Sequence, residues 1–245
     1  MTTKKILSVI YFLFVIDYLQ AQDKVKNFIG LSTGVSVPTG EFAKTDVGSF
    51  GAWNNTSGFA KTSFNIGVDG AYYFLKRLGI AGTITYTDHG ALNASDVSKL
   101  AQGYQQAFDV DQDSAASSGR YKALNVMLGP ILSLPCKKFI FDFRAMAGIL
   151  KSFSTPQINS TLTDASINYP FSQLSSTASA FGLQAGVGVR YALTETWALS
   201  LKADYFYSSG VKITNENRKN NAGRLETKQE MSWVNVSAGI AYTFK

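Results

Sequence analysis

The chain has one histidine, His89, and it follows directly on Asp88. An imidazole titrates near neutrality, and a carboxylate beside it can orient it as a general base, so this pair is the first place to look for chemistry. Asp109, Asp111 and Asp113 have the spacing of the first three ligands of a calcium loop, but Ser114 stands where the turn needs glycine and Arg120 where the closing glutamate belongs. No specific calcium site is expected there. A single cysteine, Cys136, excludes an intramolecular disulfide framework. The sequence holds no metal-ligand cluster, phosphate-binding glycine loop or nucleophile elbow, so no catalytic, cofactor-binding or metal-binding residue is assigned and no enzyme is expected.

Six other charges stand in an unusual setting. Asp69, Asp142, Arg144, Arg190, Lys202 and Asp204 lie on the polar face of segments whose other face is apolar, and they sum to zero. These segments alternate with period two, the signature of strands with one greasy and one polar face. They cover residues 29–37, 64–74, 78–87, 124–134, 139–149, 181–193, 197–207 and 232–245. In the last, Val234, Val236, Ala238, Ile240, Tyr242 and Phe244 oppose Asn235, Ser237, Gly239, Ala241 and Thr243. Pro130 interrupts the fourth, where its missing N–H predicts a local fault in the ladder.

Connections alternate too. Residues 38–62, 88–120, 150–178 and 210–229 are long and polar, whereas 75–77, 135–138 and 194–196 are tight. The pattern predicts an all-β, eight-stranded antiparallel up-and-down transmembrane β-barrel with short periplasmic turns and long extracellular loops. Strands of about 10 residues rising about 3.3 Å each and tilted near 40° span an apolar band of roughly 25 Å. A soluble barrel of lipocalin type would instead turn the apolar face inward. The polar face here is mostly Gly, Ala, Ser and Thr, small enough to fill a narrow eight-strand interior. Aromatics gather at strand ends, with Phe74, Phe139, Trp197, Tyr242 and Phe244 near the tight turns and Phe64, Tyr86, Tyr121, Tyr205, Tyr207 and Trp233 near the loops, as two interfacial girdles require. Slipping every strand by one residue would turn the six charges to lipid at a total cost of up to about 10 kcal/mol, so they fix the register. Inside so narrow a bore they are expected to form a neutral plug; a narrow pore or a transporter of small or hydrophobic solutes is the alternative.

Composition agrees. Charged residues make up 16% of the chain and aromatics 13%, with 21 glycines against 5 prolines, a profile suited to a β protein with a lipid-facing surface. The net charge of +6 is spread without a Lys/Arg-rich block, which excludes a nucleic-acid footprint. Residues 1–21 carry Lys4 and Lys5, an apolar run from Ile6 to Ile16 and Leu19-Gln20-Ala21, and are expected to be a cleaved secretory signal, leaving 22–245 as the barrel domain. In the second long loop Val97, Leu100, Ala101, Tyr104 and Phe108 recur at helical spacing behind Ser95 as N-cap. The fourth loop sets Lys212, Arg218, Lys219, Arg224 and Lys228 against Glu216 and Glu226, an excess suited to lipopolysaccharide phosphates.

Ser237, Gly239, Tyr242 and Phe244 fit the pattern polar-x-Gly-x-x-apolar-x-aromatic, which resembles the C-terminal assembly signal of bacterial outer-membrane barrels, here followed by Lys245. Together with the eight segments, the opening from Phe28-Ile29-Gly30-Leu31 to Pro38-Thr39-Gly40-Glu41-Phe42, and Gln20-Ala21-Gln22, the chain resembles the outer-membrane β-barrel domain family. It is similar to that family's OmpA-, OmpX- and OmpW-like eight-stranded barrels and to its PorT-like members of Bacteroidota type. The resemblance implies the outer membrane of a Gram-negative bacterium and a structural, surface-binding or secretion-accessory role. It implies as partners outer-membrane lipid and lipopolysaccharide, the barrel-assembly machinery and periplasmic chaperones, and secretion-system or surface proteins, with no cofactor and no nucleic acid. Some such barrels modify lipid A with His, Ser and an acid at the outer rim. Gly90 and Ala91 follow His89 in place of a His-x-Ser sequence, so a lipid A-modifying enzyme built on Asp88 and His89 is the lesser reading.

Overall fold

The computed structural model describes residues 25–45, 57–109, 112–164, 166–217 and 225–245. The expected signal segment, Asp111 of the acidic triplet, and Arg218, Lys219 and Arg224 of the fourth loop lie outside the described residues. Eight long strands form a ring: β1 (Asn27–Pro38), β2 (Ser63–Tyr73), β3 (Leu78–Gly90), β5 (Tyr121–Cys136), β6 (Phe139–Ser154), β9 (Ser179–Ala192), β10 (Trp197–Asn217) and β11 (Leu225–Phe244). Each pairs antiparallel with its neighbours in that order, and β11 closes on β1 from Asn27↔Phe244 to Pro38↔Trp233. The fold is the expected eight-stranded up-and-down barrel.

Alternation decides which way the side chains face. Ile29, Leu31, Ile66, Val68, Val187 and Leu201 are exposed on the outer wall, while Asp69, Arg144, Arg190 and Lys202 are buried within. Only hydrocarbon accepts such an outer wall without cost, and only a closed ring satisfies every backbone group in it. At Pro130 the ladder between β5 and β6 jumps from Leu128↔Ala147 to Ile131↔Arg144, although β3 still pairs through Ile80↔Pro130. The expected fault is therefore confined to one side of β5.

The extracellular side is more structured than the sequence suggests. Three short strands, β4 (Gln112–Ser118), β7 (Gln157–Asp164) and β8 (Ile167–Gln173), lie within the second and third connections and extend the sheet from β10. Strands β10 and β11 run to 21 and 20 residues, so much of the expected fourth loop is a hairpin standing above the membrane. A bulge between Ser208 and Val211 marks where barrel wall becomes extension. The second connection also carries a helix, named α2 (Ala94–Phe108), after the single turn α1 (Gly40–Ala43) in the first. Asn93, not Ser95, caps α2: its side chain accepts from the Asp96 amide while the Asp96 carboxylate accepts from the Asn93 amide, a reciprocal box that Ser95 is placed too late to make. Among the described residues no helix is long and apolar enough to cross a membrane.

Candidate functional site

All six interior charges come together and pair. Arg144 donates through Nε and Nη2 to Asp204 at 2.8 and 2.6 Å, and its Nη1 lies 3.8 Å from Asp69. Lys202 bonds the same Asp69. Arg190 grips Asp142 through Nε and Nη2 at 2.7 and 2.9 Å and lies over the Phe28 ring, 3.9 Å from its centroid. Strand register explains the fit. Gly186 pairs with Arg144 on one side and Asp204 on the other, and a Cβ there would meet the Asp204 Oδ1 at 1.9 Å. The glycine leaves the space in which guanidinium and carboxylate meet across β9. Around the pairs, Tyr73, Ser133 and Asp142 form a hydrogen-bonded chain, with Tyr73 Oη accepting from Arg190 at 3.0 Å.

The outer mouth is sealed by aromatics. Phe42 on α1 points into it, held there by the Ala60 amide donating to the Phe42 carbonyl and by Ser232 Oγ donating to the Thr39 carbonyl. Its ring meets His89 edge-on at 5.1 Å and Tyr121 at 4.9 Å, while Trp233 stacks on Phe206 at 4.4 Å and lies 4.8 Å from His89. Tyr121 and Trp233 therefore leave the expected outer girdle and turn inward. Their parity requires it: Trp233 shares a face with Asn235 and Ser237, and Tyr121 with Ala123 and Asn125. Phe206, between the lipid-facing Tyr205 and Tyr207, shares the face of Asp204 and could have been found by the same count. Above this plug Phe59, Leu100 of α2 and Ile158 of β7 form a second buried cluster.

His89 belongs to the plug. Its Nδ1 faces the Lys61 carbonyl at 3.2 Å, which can only accept, so Nδ1 carries the proton and Nε2 accepts from Ser36 Oγ at 3.3 Å. The lipid-facing row of β3 ends at Tyr86, below this position, and burial here pushes the imidazole pKa down to about 4, so the ring is neutral at pH 7. Asp88 has other partners and accepts from Arg120 Nε at 3.0 Å and from the Gly90 amide at 2.9 Å. The β3–β5 ladder is bulged between Asp88 and Gly90, and with Asp88 held by Arg120 and Gly90 while both His89 nitrogens face Lys61 and Ser36, these sequence neighbours form no hydrogen-bonded acid–base pair. Arg120, expected only as a departure from a calcium loop, is the partner of Asp88. Among the described residues no group of His, Cys, Asp or Glu could hold a metal ion.

The remaining expected residues fall as follows. Ser237 donates to the Asn65 side chain at 2.7 Å inside the barrel, Gly239 faces Ser32 of β1, and Tyr242 and Phe244 stack on the outer wall with ring centroids 6.4 Å apart. Lys212 pairs with Glu226 across the β10–β11 extension at 2.8 Å. On the outer wall beside Pro130, a groove of about 630 Å³ is lined by Leu78, Leu132, Phe143, Ala145 and Ala203 and reaches Arg144 and Asp204 at its floor.

Among solved structures, Neisserial surface protein A resembles the chain with 11% identity over 89% of this chain and 97% of that one, at a TM-score of 0.48. Outer membrane protein W of E. coli does so with 14% identity over 91% and 100%, at 0.45. The attachment invasion locus protein of Yersinia pestis does so with 13% identity over 90% and 100%, at 0.40. No curated protein sequence matches. A family model does: that of the outer membrane protein beta-barrel domain matches residues 19–244, nearly the whole chain, and the chain therefore belongs to this family and resides in the outer membrane.

Proposed function

We propose that this protein is a closed outer-membrane scaffold that acts through its extracellular layer, in a structural, surface-binding or secretion-accessory role, and not as an enzyme. The observation that carries the reading is the sealed mouth: an aromatic plug above the three buried aspartates and their Arg144, Arg190 and Lys202 partners leaves the layer of α2, β4, β7, β8 and the β10–β11 extension as the elaborated surface. Exposed elements on a rigid frame are where binding concentrates. In our reading the protein is PorT-like and of Bacteroidota type, with residues 1–21 removed as a signal peptide. Lipopolysaccharide, assembly factors and surface or secretion proteins are its partners. The second reading, passage of small or hydrophobic solutes, is favoured by the groove beside Pro130.

Two measurements separate this proposal from its rivals. In planar bilayers the purified protein is expected to show no large steady channel, because a solute would have to displace both plug and ion pairs. Trp233→Ala, which removes the largest fully buried side chain of the plug, is the variant expected to raise conductance. A steady wild-type current altered by Arg144→Ala would establish the pore instead. For the enzyme reading, mass spectra of the host's lipid A are expected to be identical with no protein, with wild type and with His89→Ala. An acyl pattern that changes with the protein and reverts in His89→Ala would make it a lipid A-modifying enzyme.

A further inference from the structure

Among the described residues of the barrel interior, four buried bases, Arg77, Arg144, Arg190 and Lys202, stand against three buried acids, Asp69, Asp142 and Asp204. Arg77, in the tight turn before β3, is 8% exposed, and its carbonyl accepts the Ser133 amide at 2.9 Å, which places it in the layer of Tyr73, Ser133, Asp142 and Arg190 at the periplasmic end. The three aspartates are already engaged by Arg144, Arg190 and Lys202. The Nε and Nη2 of Arg77 are buried and donate to nothing among the described residues. Those two nitrogens form one edge of the guanidinium, and it is the same edge with which Arg144 holds Asp204 and Arg190 holds Asp142. In Arg77 that edge has no carboxylate. Nη1 of Arg190 in the same layer is also buried without an acceptor.

A buried guanidinium with an idle fork is costly, since charged donors taken from water need acceptors in their place. The surplus of one positive charge and the idle pair of donors call for the same thing: one negative group with two oxygens side by side. We infer that Arg77 forms an oxyanion-binding site at the periplasmic mouth of the barrel, which takes a single carboxylate or phosphate group two oxygens at a time. The site faces away from the extracellular layer, so it stands independently of the surface role proposed above.

The test is calorimetry on the purified protein in maltoside micelles, which contain no phosphate, with inorganic phosphate or acetate titrated in at ionic strength held constant by sodium chloride. Saturable one-to-one binding of at least one of the two is expected, weakened by about tenfold or more in Arg77→Gln, which keeps a polar side chain but loses charge and fork. Arg77→Lys, which keeps the charge alone, is expected to fall between them and serves if the glutamine variant does not fold. Absence of saturable heat with wild type, or equal affinity in Arg77→Gln and wild type, would overturn the site. Asp23 precedes the first described residue, Val25, by two positions in the sequence and supplies a third arm. Binding seen in Asp23→Asn but not in wild type would mean that the chain's own carboxylate takes the place, and would overturn an external ligand.

Discussion

Replacing Asp204 by alanine is expected to destabilise the barrel by about 3–5 kcal/mol, the cost of leaving a buried guanidinium without its partner. Arg144 is 5% exposed at its side chain and spends its bidentate edge on Asp204; what remains is Asp69 at 3.8 Å, a carboxylate already shared with Lys202. The aromatic plug closes one end of the bore and the Arg190–Asp142 pair lies toward the other, while the groove beside Pro130 that reaches Arg144 and Asp204 opens on lipid, which offers no replacement hydrogen bond. The measurement is the urea midpoint of the refolded barrel in lipid vesicles, followed by the loss of its compact form on unboiled gels. Replacing both partners, as in Arg144→Met with Asp204→Leu, is expected to recover most of the loss, because two apolar side chains of similar size need no partner. A single variant within about 1 kcal/mol of wild type would show that the Arg144–Asp204 pair contributes little more than a surface salt bridge does.

The same pair shows what the sequence makes legible. The positions of the six charges follow from period-two counting, and that count also gave the eight strands, their faces and the tight turns, because lipid on one side and a narrow interior on the other leave each residue only two environments. Above the membrane both faces can meet water or protein, and the signal weakens. β4, with its sequence QDSAASS, carries no apolar row to read, and β8 offers only Ile167, Tyr169 and Phe171 beside Pro170, too short a row to mark a strand. The inward aromatics were legible in principle, since Trp233 and Phe206 have the parity of Asn235 and Asp204, but a rule that sends aromatics to the girdles overrode the parity. Adjacency in sequence does not tell whom Asp88 and His89 bond: their partners, Arg120 for the carboxylate and Lys61 and Ser36 for the imidazole, come from distant parts of the chain. Arg77 sits in the tight connection 75–77, where period two assigns no face, and only the closed ring shows that it is buried.

Gly239→Val is expected to give the most severe assembly defect of any single substitution in the last strand, and the geometry separates two reasons why. Gly239 pairs with Ser32 across the seam that closes the ring, and a Cβ there would lie 2.2 Å from the Leu31 carbonyl oxygen and 2.8 Å from the Ser32 Cα and Cβ. Two of these three atoms are backbone, so nothing can move aside without opening the β1–β11 ladder. Phe244 differs: its ring is exposed on the outer wall, and truncating it leaves the ladder intact. Phe244→Ala is therefore expected to refold normally from urea into detergent, and, if the terminal aromatic serves as an assembly signal, to insert slowly in cells. Gly239→Val is expected to fail in both settings, with no compact form on unboiled gels. Val236→Ala, an outward residue of the same strand, serves as the control and is expected to match wild type in both. Refolding of Gly239→Val in detergent to wild-type yield would show that the seam tolerates the side chain, and would move the whole effect to recognition by the assembly machinery. Failure in detergent, where that machinery is absent, would place the glycine's role in the closing of the barrel itself.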